Sequence, residues 1–145
     1  MKIVLQRVLK ASVTVGGDVV SSINRGILVL VGITHQDNKE KADYLAGKLV
    51  NLRIFEDEND KLNLSLKDVD GELLIVSNFT LYADCLKGTR PSFKEAASSD
   101  FAKELYDYFV LQCKSNIPVV REGVFGSNMK VSLVNDGPVT LVLEK

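Results

Sequence analysis

The chain has one histidine, two cysteines and almost no net charge: 18 Lys and Arg stand against 19 Asp and Glu, a formal charge of −1. Each shortage excludes something. A Ser-His-Asp or Cys-His site would rest on His35 alone, and His35 sits in the polar turn "THQDN" after an apolar run, where a solvated loop histidine is the ordinary outcome. Cys85 and Cys113 are separated by 28 positions with no CxxC, too few and too distant for a disulfide framework or a zinc knuckle. Two reduced, partly buried thiols are expected. Scattered carboxylates supply no metal-ligand spacing, and no GxGxxG or GxxxxGK[ST] phosphate loop is present, so neither a metal nor a cofactor is expected. Balanced charge argues against a broad footprint on duplex DNA or a lipid surface; an RNA partner would be gripped over a short piece only. No apolar run approaches membrane-spanning length, and "MKIVLQRVLKASVTV" lacks the apolar core of a signal peptide, which predicts a cytosolic protein.

What is present suits one domain spanning residues 1–145, because 46% hydrophobic composition over that length can bury a real core. The opening stretch alternates, placing Ile3, Leu5, Arg7, Leu9, Ala11, Val13 and Val15 on one face of a strand. Gly16-Gly17 signals a two-residue hairpin to "DVVSSI", and "GILVLVGI", apolar on both faces, predicts a buried central strand. From Asp37, placed to cap, Leu45, Leu49 and Leu52 recur at helical spacing. "LRIFED" and "GELLIVSNFTLY" read as strands around a polar loop, 56 to 71, with room for a further short strand. Ser98 or Ser99 caps a second helix whose stripe is Phe101, Leu105, Phe109 and Tyr108, ending near Cys113. "IPVVREGVF", "NMKVSLV" and "VTLVLE" return to strand, the last two joined by the tight turn "NDGP". Seven or eight strands and two helices predict an α+β fold: a largely antiparallel, barrel-like sheet with two main helices on one side.

Two segments carry chemistry. In "SNFTLYADCLKGTRPSF" the hydrogen-bonding side chains of Ser77, Asn78 and Thr80 gather at the end of an apolar strand and run into a basic Gly/Pro loop. That is the raw material of a small polar pocket, and equally of a strand fraying into water. Arg7 is a guanidinium on an apolar face, which must find acceptors or snorkel out. "GVFGSNM" brackets Phe125 with glycines, as a base-stacking platform or as an ordinary turn. Side-chain acid/base groups are scarce, so an enzyme built this way would work by positioning and backbone dipoles on an already reactive substrate.

Taken in order, "MKIVLQRV", "ASVTV", "GILVLVGI", "SNFTLYAD", "KGTRPSF", "GVFGSNM" and "NDGPVT" resemble the D-aminoacyl-tRNA deacylase family, also called D-tyrosyl-tRNA deacylases, over essentially the whole chain. The resemblance implies hydrolysis of the ester of D-aminoacyl-tRNA, and of glycyl-tRNA, with no cofactor. It implies a homodimer with cross-subunit active sites that takes the tRNA acceptor end. Ser77, Asn78, Phe79 and Thr80 become the catalytic strand end, and Gly137-Pro138, cis in the family, becomes a filter inserted into the partner's site to reject L-amino acids. Phe125 and Met129 resemble positions near the terminal adenine, and Arg7 the arginine that steadies the Gly-Pro element. Lys87, Arg90 and Lys94 become the expected phosphate contacts. The family's usual Ser-Gln-Phe-Thr is Ser77-Asn78-Phe79-Thr80 here, which shortens that amide's reach by one methylene. Two other readings stay open: a non-catalytic dimeric module that binds RNA ends, and an esterase with Thr80 as covalent nucleophile.

Overall fold

The computed structural model describes residues 1–145. Its organising element is β1 (Lys2–Val15), which is long enough to pair with three strands. On one edge its first half pairs antiparallel with β3 (Gly26–Gly32) and its second half with β2 (Asp18–Ile23), across the expected Gly16-Gly17 hairpin. Along the other edge runs β8 (Lys130–Glu144). Beyond β3 lie β6 (Glu72–Ser77) and the short β7 (Val120–Glu122), both added in parallel. The sheet is thus mixed and barrel-like, antiparallel around β1 and parallel from β3 outward. A separate two-stranded ribbon joins β4 (Phe55–Glu56) to β5 (Leu62–Leu64), the short strand for which the polar loop left room.

Both helices, α1 (Lys39–Asn51) and α2 (Ser99–Lys114), pack on one face of the sheet. Period-2 alternation in the buried strands sends Ile27, Val29, Val31, Leu73 and Ile75 into that helical core, while Leu28, Leu74 and Val76 face the other way. The second face holds only a small cluster and has no helix to cover it. That uncovered apolar concavity is where the site forms.

Several local expectations are corrected. Asn38 caps α1, its side chain accepting from the Lys41 N–H at 3.0 Å. Asp37 is instead a buried carboxylate, taking the Thr34 N–H at 2.8 Å, the Lys41 ammonium at 3.2 Å and the Met1 amino group. Ser98 caps α2 by position, without a side-chain bond. The buried stripe of α2 is Leu105, Tyr106, Phe109, Val110 and Cys113, so Tyr106 takes the inward place expected for Tyr108, and Phe101 is partly exposed. β1 does not keep one apolar face: Ile3 and Leu5 enter the helical core, Val8, Ala11 and Val13 enter the other cluster, and Leu9 is exposed. The face changes where the ladder to β8 is interrupted, between Gln6 and Lys10. Cys113 is fully buried and Cys85 exposed, both unpaired.

The "NDGP" segment is not a turn. β8 passes through it without reversing, and the runs on either side both pair with β1. Gln6 faces Thr140 and Val8 faces Asn135, so the four residues 136–139 stand opposite Arg7 alone. Gly137-Pro138 is a cis peptide at the crest of this bulge.

Candidate active site

β6 does not continue to Tyr82 as a strand. It ends at Ser77, which pairs with Val31, and the chain turns into a 3₁₀ helix over Phe79–Tyr82. The alternation of Ser77, Phe79 and Leu81 imitates a strand, but the competing local hydrogen bond of Asn78 wins. Its side-chain oxygen accepts from the Thr80 N–H at 3.1 Å and from the Thr80 hydroxyl. The Asn78 N–H donates to Val31 O at 2.8 Å, which fixes the turn to the central strand. Gly32 makes the seating possible: a Cβ there would lie 2.9 Å from Leu81 Cβ and 3.3 Å from Asn78 O. The shorter amide of Asn78 is therefore spent on its own turn, a geometry that Asn reaches more readily than Gln.

This turn forms one wall of a cleft of about 940 Å³ over the uncovered face of the sheet. Ser77, Asn78, Phe79 and Thr80 line it together with Phe125 and Met129, so six of the residues singled out from sequence come together. Phe125 is half-buried, its ring 5.6 Å from that of Tyr106, in a turn closed by the Ser127 N–H on Val124 O. Phe93, from the basic loop, meets Phe79 edge-on at 5.1 Å. Sequence reasoning missed Gln6 and the floor of Leu28, Leu30, Val131 and Leu133, although the alternation of those strands already marked a second apolar face. The decisive feature is chemical: none of the 22 lining residues is Asp, Glu, His, Lys, Arg, Cys or Tyr. His35 lies outside, with Nε2 2.8 Å from Lys94 O.

Arg7, Lys87, Arg90, Gly137 and Pro138 do not line the cleft. Lys87, Arg90 and Lys94 are exposed on the 83–97 loop, which is pinned at its base by the Asp84 and Ser92 bridge. Arg7 is buried, and every arm of its guanidinium is used. Nε donates to Asp136 O at 3.1 Å and pairs with Asp136 Oδ2 at 3.1 Å, Nη1 donates to Ile54 O at 2.8 Å, and Nη2 to Glu56 Oε1 at 3.3 Å. A planar fork of five donors suits this mixture of carbonyls and carboxylates. Arg7 thus braces the bulge that carries Gly137 and Pro138, both exposed.

The D-Tyr-tRNA(Tyr) deacylase family model matches residues 4–144. The chain belongs to that family. Proteins named D-aminoacyl-tRNA deacylase are similar to it along their length: the one from Thermosipho africanus is 58% identical over 99% of this chain and 97% of its own, and that from an Exiguobacterium species 53% over 100% and 99%. A solved structure described as c-Myc DNA Unwinding Element Binding Protein superposes with a TM-score of 0.94 at 43% identity, covering 100% of this chain and 99% of the other. A probable eukaryotic D-amino acid tRNA deacylase shares the fold at TM-score 0.82 and 19% identity, covering 98% and 97%. No helix in this family member is long and apolar enough to cross a membrane.

Proposed function

We propose that the chain is a D-aminoacyl-tRNA deacylase that works as a homodimer, hydrolysing the ester between a D-amino acid and the terminal ribose of tRNA, with Gly137-Pro138 of each subunit entering the cleft of the other. Membership of the family and relatives at 53–58% identity support the activity. The observation that carries the finer reading is a separation: Gly137 and Pro138 stand braced and exposed outside their own chain's cleft, free to meet a second subunit. A backbone element reads chirality by repulsion at the substrate Cα and leaves the side chain unread, and the cleft is roomy enough for large residues. Glycine has no Cα side chain to repel, so glycyl-tRNA is also a substrate.

The lining without ionisable groups directs the mechanism. With no side-chain base at hand, water attacks with help from the free hydroxyl of the terminal ribose. The Asn78, Thr80 and Leu81 N–H groups are taken up inside the fold, which leaves the Phe79 N–H and the Ser77 hydroxyl as the donors that stabilise the developing oxyanion. Thr80 is a positioning residue, since its hydroxyl is bonded to Asn78 and no base is present to make it a nucleophile. Phe125 and Met129 hold the adenine, and Lys87, Arg90 and Lys94 meet acceptor-end phosphates.

The test is single-turnover hydrolysis of D-tyrosyl-tRNA and L-tyrosyl-tRNA with a chelator present. Fast loss of the D ester alone is expected. Loss of neither would leave a binding module, and equal loss of both an unselective esterase.

A further inference from the structure

A bulge with no ladder must be shaped by side chains, and residues 136–139 have no partners on β1 beyond Arg7. Arg7 fixes the leading side at Asp136. The trailing side is fixed by Asn135, whose sequence context suggests nothing beyond turn chemistry. Its Oδ1 accepts from the Val139 N–H at 2.9 Å, and its Nδ2 donates to Val139 O at 3.3 Å and to Thr140 Oγ1 at 3.2 Å. A primary amide carries donor and acceptor on one planar group, as a peptide unit does. The Asn135 side chain therefore substitutes for the missing strand partner of Val139.

Val139 in turn bounds Gly137. A Cβ on Gly137 would lie 2.9 Å from Val139 N and 2.8 Å from Val139 Cγ2, so Gly137 packs close against Val139 and only a residue without a side chain fits between it and Arg7, whose Nη2 would be 3.3 Å away. Thr140 Oγ1 also accepts from Gln6 Nε2 at 3.1 Å, and Gln6 lines the cleft. We propose that Asn135 is a specificity-determining positioning residue: its amide sets where Gly137-Pro138 stands, and Thr140 and Gln6 register that element against the wall of the chain's own cleft. This rests on reading Gly137-Pro138 as the chirality filter. Asn135 touches no substrate; it acts through the backbone it holds.

The experiment measures single-turnover rates on D-tyrosyl-tRNA and L-tyrosyl-tRNA, with thermal midpoints, for full-length wild type, Asn135→Asp, Thr140→Val and Thr140→Ser. Asn135→Asp keeps the shape and the acceptor for Val139 N–H but removes both donors. It should lower the D-over-L rate ratio about tenfold, chiefly by admitting the L ester. Thr140→Val should lower the ratio less, and Thr140→Ser, which restores the hydroxyl, should behave as wild type. A ratio unchanged in both Asn135→Asp and Thr140→Val overturns the proposal, including where both rates fall together with a lowered midpoint. If Asn135→Asp does not fold, Thr140→Val against Thr140→Ser decides the matter. Wild type that hydrolyses both esters alike sinks the chirality reading and this inference with it, an outcome separate from an unchanged ratio in a selective enzyme.

Discussion

The 77–82 turn and the 135–140 bulge are both short irregular stretches attached to the same sheet, and they are held in opposite ways. The turn leaves an interior strand and is seated by backbone: Ser77 pairs with Val31, and the Asn78 N–H bonds Val31 O. The bulge interrupts β8, whose ladder runs to β1, and it is held almost wholly by side chains, those of Arg7 and Asn135. A backbone-seated site tolerates changes of side chain. A side-chain-seated one does not.

The largest effect should therefore follow loss of Arg7. Arg7→Ala strands Ile54 O in the core and frees Asp136, and should cost about 3 kcal/mol of unfolding free energy in denaturant titrations. Arg7→Lys should recover less than half of it, because an ammonium cannot serve carbonyls and carboxylates spread around a planar fork. Full recovery by Lys would break the comparison, since any cation would then do.

Alkali should abolish both regions together. Burial pushes the Cys113 thiol up to about 12 and raises the Tyr106 phenol, whose hydroxyl donates to Ile75 O at 2.9 Å just before the turn. Groups raised on folding stabilise fully below their unfolded values and lose that contribution as pH climbs through the folded ones. Stability should be level to about pH 9 and fall steadily above it. A cleft that outlived the bulge in alkali would show that the two regions unfold separately.

The smallest effect belongs to the turn. Asn78→Gln restores the family's usual residue but weakens the local cap, and should cost roughly 0.5–1 kcal/mol while D-ester hydrolysis stays within about tenfold of wild type. Loss of activity would mean that the amide itself touches substrate.

The same contrast explains what could be read beforehand. The strands β1, β2 and β3, the hairpin and α1 announce themselves by periodicity and turn residues, which are local properties. Ser77 to Thr80, Phe125 and Met129, singled out through the resemblance, line one cleft. The 3₁₀ turn was hidden because its residues alternate as a strand would, and only the Asx bond of Asn78 betrays it. The bulge was misread because Asn-Asp-Gly-Pro is good turn chemistry. That both flanks pair with one distant strand is a matter of register, which sequence periodicity does not record. The absence of titratable groups from the cleft was foreshadowed by the single histidine, but which carboxylates and lysines stay out of it depends on three-dimensional packing.

β8 also has a place in time. Its pairing with β1 joins Lys2 to Glu144, 142 positions apart, whereas the β3 to β6 pairing beside the cleft joins Val31 to Ser77, 46 apart. Contacts of long sequence separation close late, because the loop entropy must be met before they reward it. The 77–82 turn can thus take shape before the bulge that carries Gly137-Pro138 is in register. On the reading proposed above, discrimination between enantiomers is then the last property to arrive as the chain folds, and the first to go when its two ends come apart.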